Sequence, residues 1–215
     1  ADQKYVKRWF NNLGDKKRVK KGSKAIGRVI KKAGIDKELS TLEKVVKLEN
    51  YLKDRIYPNN YTGSFFIDEV LQSQQWTEKG AIRYFALVLM KLGIEHQLVL
   101  TCSKYEKEFD GDFESYAFID KVLIYIPEIN EFIYPFSQHH RLGILPVELA
   151  SQKAVYIKTM SIAGRVSAFP QVKILPAINP LDNSVADTFQ LSIKPEVGDV
   201  EIDIVSEFRY RKLKF

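Results

Sequence analysis

The sequence predicts an α+β fold in which N-terminal helices pack on an antiparallel sheet and a β-rich segment follows. Apolar residues recur at helical spacing as far as Gly93 and at strand spacing after it. Helices and strands fall in separate runs, the order expected of an α+β domain. With 13 Phe, 11 Tyr and 2 Trp in 215 residues, the chain holds enough large side chains for a sizeable core. The division expected is a helix-and-sheet domain over 1–160 and a β-rich segment over 161–215, read as the start of a β-sandwich domain.

Tyr5–Phe10 begins a short amphipathic piece that stops near Gly14. Ile26, Val29, Ile30 and Ala33 form one stripe of a helix over Ala25–Ala33, with Gly34 placed as its C-terminal cap. Gly27 inside it costs about 1 kcal/mol against alanine. Ser40 and Glu43 have the spacing of a capping box, in which each side chain satisfies a backbone N–H of the other residue. The helix they open carries Leu42, Val45, Val46, Leu52 and Ile56 on one stripe and ends before Pro58. A polar loop, Pro58–Ser64, and a short helix around Phe66–Leu71 come next. Thr77 caps a helix running to Leu92 and Gly93, apolar on nearly every face, as suits a helix in the middle of a domain. Strands are predicted at Gln97–Thr101, Tyr116–Ile119 and Val122–Ile126, with Glu131–Tyr134 returning through a turn at Pro127–Asn130. Beyond Ser161 the chain is punctuated by Pro170, Pro176 and Pro180, and Glu201–Tyr210 alternates like a half-buried strand.

Composition excludes several classes. Apolar residues at 45% and charged residues at 28% are ordinary for a globular chain and rule out disorder, collagen and coiled coil as descriptions of the whole. The longest apolar run, Tyr84–Met90, is far below the roughly 20 residues of a transmembrane helix, so no transmembrane segment is expected. Residues 1–60 hold 17 Lys/Arg and 7 Asp/Glu, a balance of +10, which leaves −4 for the remainder of a chain of net charge +6. Nine basic residues and no acid lie between Lys16 and Lys32. Such a run can bind a polyanion by releasing counterions, but it serves equally as a solvated helix face. Its neighbouring aromatics (Tyr5, Trp9, Phe10) are not interleaved with it, so nucleic acid is not expected as a partner.

Few residues carry obvious chemistry. The acids of 103–114 surround an Asp-Gly-Asp core, yet lack the other oxygen ligands and the closing Glu of a calcium loop; an acidic surface loop is expected. The single cysteine, Cys102, lies in a predicted strand, where a buried structural thiol is the default. His96 begins a strand, while His139 and His140 follow the last hairpin. They make too poor a ligand set for zinc, and no metal or cofactor is expected.

The segment Leu42–Pro135 resembles the transglutaminase-like superfamily, especially large bacterial proteins in which that domain lies between β-sandwich domains. The residues that carry the likeness are the Phe66–Leu71 helix, the Thr77–Leu92 helix closed by Leu92-Gly93-Ile94, and the Val122–Pro135 hairpin. Within the hairpin they are Tyr125-Ile126-Pro127 and Phe132-Ile133-Tyr134-Pro135; Arg141-Leu142-Gly143-Ile144-Leu145-Pro146 follows it. The resemblance implies a papain-like core, with a cysteine at the N-terminus of the buried helix and a histidine and an aspartate on the strands. There the helix dipole and imidazole would make a thiolate and the aspartate would orient the imidazole. The matching positions hold Glu78, one of Phe118–Lys121 (Ile119 or Asp120 fitting best) and Tyr134, so the resemblance implies a degenerate triad.

The function expected is therefore a non-catalytic binding or scaffolding domain of a larger protein, with no catalytic residues at the triad positions. A remnant cleft lined by Trp76, Tyr84, Tyr116 and Phe118 would hold a peptide, protein or glycan. The resemblance also implies further domains of the same chain and an extracytoplasmic location in a Bacteroidetes-type bacterium. The competing expectations are a hydrolase built on Glu78 and Asp120 or on Cys102, and polyanion binding by Lys16–Lys32.

Overall fold

The computed structural model describes residues 16–106, 119–162, 165–178, 184–194 and 199–209. It divides into two compact units, Ala1–Pro176 and Ala177–Phe215. The expected Tyr5–Phe10 helix and the acidic Asp-Gly-Asp loop lie outside the described residues. So do the lining residues Tyr116 and Phe118, and with them all of the expected Tyr116–Ile119 strand except Ile119.

The first unit begins with α1 (Lys16–Lys32), so the basic run is itself helical and the helix opens well before Ala25. Ala25, Ile26 and Val29 are buried, as the predicted stripe requires. Gly34 ends α1 at φ +64°, where the N–H of Ile35 reaches back to the Ile30 carbonyl at 3.1 Å; only a residue without Cβ takes that left-handed turn freely. Helix α2 (Thr41–Lys53) opens with the predicted capping box: Ser40 Oγ accepts from the Glu43 N–H at 3.3 Å and Glu43 Oε2 accepts from the Ser40 N–H at 2.8 Å. Tyr57–Pro58 (β1) and Gln75–Trp76 (β2) form a two-residue parallel pair that closes the polar loop around α3 (Ile67–Ser73). Thr77 caps α4 (Glu78–Lys91) by accepting the Gly80 N–H at 3.1 Å. Ala81, Ile82, Tyr84, Phe85, Ala86, Val88 and Leu89 of α4 are all buried, so this is the central helix. It packs against α1, α3, β2 and β4.

The sheet is antiparallel throughout, in the order β5-β4-β3-β6-β7. Its strands are β3 (Gln97–Thr101), β4 (Lys121–Ile126), β5 (Glu131–Ile133), β6 (Lys153–Ile162) and β7 (Arg165–Ile174). The Pro127–Asn130 turn forms as expected, with Asn130 at φ +53° and its side chain accepting from the Tyr125 hydroxyl at 2.8 Å. Among the described residues, four helices and this five-stranded antiparallel sheet make a mixed α+β unit. Strand β6 runs across the expected 160/161 boundary and pairs with β3 from Leu98↔Ile157 to Leu100↔Val155; the break between units accordingly falls after Pro176. Ile119 and Asp120 are likewise not in a strand: they precede β4, and Asp120 donates its N–H to the Thr101 carbonyl at 3.2 Å. The second unit is a hairpin of two 11-residue strands, β8 (Ser184–Lys194) and β9 (Asp199–Arg209).

A buried polar clamp joins α2 to the segment after β5. Lys53 Nζ pairs with Glu49 Oε1 at 2.7 Å one helical turn away, and both side chains are buried. Each charge has a second partner on the segment: Lys53 donates to the His140 carbonyl at 2.6 Å, and Glu49 Oε2 accepts the Leu142 N–H at 2.7 Å. Outside them, Arg141 reaches Asp54 at 2.7 Å. Burial holds the Lys53 ammonium below its ordinary pKa even though Glu49 opposes the shift.

Candidate functional site

The N-terminus of α4 brings together side chains from three parts of the chain. Glu78 is the first residue of the helix and half-buried; its N–H donates to Asn60 Oδ1 at 2.9 Å. Together with the Thr77 cap, this bond occupies leading N–H groups that would otherwise attract an anion. Burial pushes the Glu78 carboxyl above its ordinary pKa, the charge of Asp120 adds to the push, and Lys121 and Lys79 oppose it. Asp120 pairs through Oδ2 with Lys121 at 3.2 Å, while its Oδ1 is buried without a hydrogen-bond donor. Burial works against the Lys121 ammonium, but the hydrogen bond and charge of Asp120 outweigh it and raise its pKa. Tyr134, just past β5, has a phenol raised by burial and by the charges of Glu78, Glu148 and Asp120, with Lys121 opposing. Glu78, Asp120 and Tyr134 thus lie within reach of one another's charges, although they are widely separated in sequence.

Three further residues join this site that the sequence did not assign to it. Lys121 was simply the neighbour of Asp120, and Glu148 lies in a turn before β6. His140 stacks near Tyr134 (ring centroids 5.9 Å apart), and its Nδ1 lies 2.8 Å from Ser137 Oγ. Burial holds the His140 imidazole below its ordinary pKa; the Glu148 charge opposes this, and Lys53 and His139 reinforce it. The segment around His140 is held on α2 by Lys53, whose ammonium donates to the His140 carbonyl and whose own carbonyl accepts from Gln138 Nε2 at 3.1 Å.

Other sequence-derived candidates lie elsewhere. Trp76 and Tyr84 are 1% and 0% exposed; they pack together with ring centroids 6.2 Å apart and belong to the core, not to the wall of an open cleft. Cys102 follows β3 at 1% exposure and does not lie in a helix. His96 is turned inward, its Nδ1 3.0 Å from the Ile94 carbonyl. Among the described residues no group of three or more His, Cys, Asp or Glu side chains is placed to hold a metal ion. No helix among them is long and apolar enough to cross a membrane.

These features define a mixed α+β domain with a carboxylate–phenol–ammonium cluster at the start of its central helix. No family model matches the chain, and no curated protein matches it. A solved structure described as a crystal structure of a TGase is similar over 61% of this chain and 36% of its own length, at 16% identity and a TM-score of 0.43. The similar region therefore spans about a third of that larger chain.

Proposed function

We propose that this chain is a non-catalytic domain with a transglutaminase-like core, which binds a ligand or partner at the start of α4. The carrying observation is Glu78: a carboxylate heads the helix where the resemblance calls for a thiol. The sole cysteine supports the same reading, because its thiol is only 1% exposed and so is closed to a substrate in this conformation. The side chains gathered here favour a ligand that donates hydrogen bonds. Asp120 Oδ1 lacks a donor, and Glu78 and Tyr134 can each accept one. Amide, amine and hydroxyl groups of a peptide or glycan have that chemistry. The extracytoplasmic setting and further domains of a longer chain belong to the proposal on the resemblance alone.

Panels of peptides and glycans incubated with wild type, Glu78→Gln and Cys102→Ser test it. No turnover by any of the three is expected, together with ligand-induced stabilisation of wild type that Asp120→Asn weakens. Turnover by wild type that disappears in Cys102→Ser would overturn the reading. One observation favours a second reading, a hydrolase: burial, reinforced by the charge of Asp120, holds Glu78 toward its protonated form, as a general acid requires. Turnover lost in Glu78→Gln alone would establish that reading instead.

A further inference from the structure

We propose that Arg83 receives a carboxylate-bearing ligand on the side of α4 that meets the 59–66 loop, a site independent of the function proposed above. Arg83 is 7% exposed, and its Nη1 is buried with no acceptor. Among the described residues no carboxylate pairs with it. The guanidinium lies over the Phe65 ring at 4.5 Å, which occupies one of its faces. The ring offers no lone pair, so the buried Nη1 is left without an acceptor. A buried cation with no counter-charge is costly, and such groups are ordinarily paired. Burial lowers the pKa of this guanidinium, and no acid among the described residues opposes the shift.

The site is distinct from the Glu78 cluster. Glu78 and Arg83 are five positions apart on α4, which sets them about 140° apart around the helix. Gly80, one turn before Arg83, seats α4 directly on the backbone of Ser64 and Phe65. On the loop side Glu69 is engaged elsewhere, since its Oε2 accepts from Ser64 Oγ at 2.7 Å, while Lys79, four residues before Arg83, is exposed. A planar, singly charged carboxylate matches the in-plane fork in two parallel hydrogen bonds. Tetrahedral phosphate is larger and carries more charge into a buried place.

The test follows the arginine Nε–Hε resonances of the 15N-labelled chain, with Arg83 assigned from the resonance missing in Arg83→Lys. Sodium acetate is titrated against sodium chloride at constant ionic strength, with sodium phosphate as a parallel arm. A saturable shift of the Arg83 resonance with acetate is expected. Acetate should also raise the Tm of wild type but not of Arg83→Met, and bind Arg83→Lys about tenfold or more weakly, since the fork is lost. An equal shift with chloride, no saturable shift, or a tighter response to phosphate would each overturn the assignment. If Arg83→Met fails to fold, the wild-type titration decides alone.

Discussion

Glu78 and Asp120 sense each other's charge across the start of α4, and the energetic consequence has a definite sign. A carboxyl whose pKa is raised on folding holds its proton more tightly in the native state than in the unfolded one. Its contribution is then most favourable below the ordinary value of 4.5 and is lost as pH rises through the raised native value. Glu78→Gln should therefore be more stable than wild type at pH 7, with the difference shrinking near pH 4. Urea denaturation at the two pH values measures this, and an unchanged difference would mean that burial does not disfavour the Glu78 charge. At this scale the sequence was partly legible. The resemblance singled out Glu78, Asp120 and Tyr134 by counting from Gly93 and Pro135. Lys121, Glu148 and His140 became visible only through tertiary placement, because no local pattern marks a residue that meets its partners by chain docking.

Among the elements, helix starts and stops were the most legible, since capping is local chemistry: Ser40 with Glu43, Thr77, Gly34 and Gly93 all act where the pattern puts them. The inward turn of Glu49 and Lys53 was not. An amphipathic reading sends charged residues outward, and here two of them are buried because each finds the other and a backbone group of 138–142. Lys53→Met leaves Glu49 buried and alone, and should cost about 3–5 kcal/mol. The double variant Glu49→Met/Lys53→Met should regain most of that loss. Urea midpoints of the single and double variants decide it; a double variant no better than Lys53→Met would show that the two charges do not act as a unit. On α1, Gly27 is exposed and a Cβ built on it meets nothing within 4 Å. Gly27→Ala should stabilise the chain by about 0.5–1 kcal/mol, read as a higher Tm.

Across the whole molecule, helices followed by sheet were legible from the change in apolar period after Gly93. The β6–β7 hairpin was not, because Pro170 interrupts the strand pattern of β7, an edge strand where a proline is tolerated. The two units also differ in what holds them. The first has helices covering a sheet. The second has one hairpin whose register sets Phe189 opposite Ile204, Leu191 opposite Ile202 and Ile193 opposite Val200. A lone two-stranded ribbon is marginally stable in water. Residues 1–176 expressed alone should keep one cooperative thermal transition by circular dichroism, whereas 177–215 alone should show none. Loss of the transition in 1–176 would mean that the first unit needs the second in order to fold.

Gly63 and Gly80 set how closely the 59–66 loop lies against the start of α4. A Cβ on Gly63 would collide with the Asn59 and Trp76 backbones, and one on Gly80 with the Ser64 carbonyl oxygen. Two missing methyl groups therefore act as a gauge block for both faces of the helix start, fixing where Asn60 meets Glu78 and where Phe65 meets Arg83. Alanine, which helps α1 at position 27, should harm α4 at position 80 by about 1–3 kcal/mol. The same added atom would then stiffen one helix and dislodge the other, and Tm values of the two alanine variants should move in opposite directions.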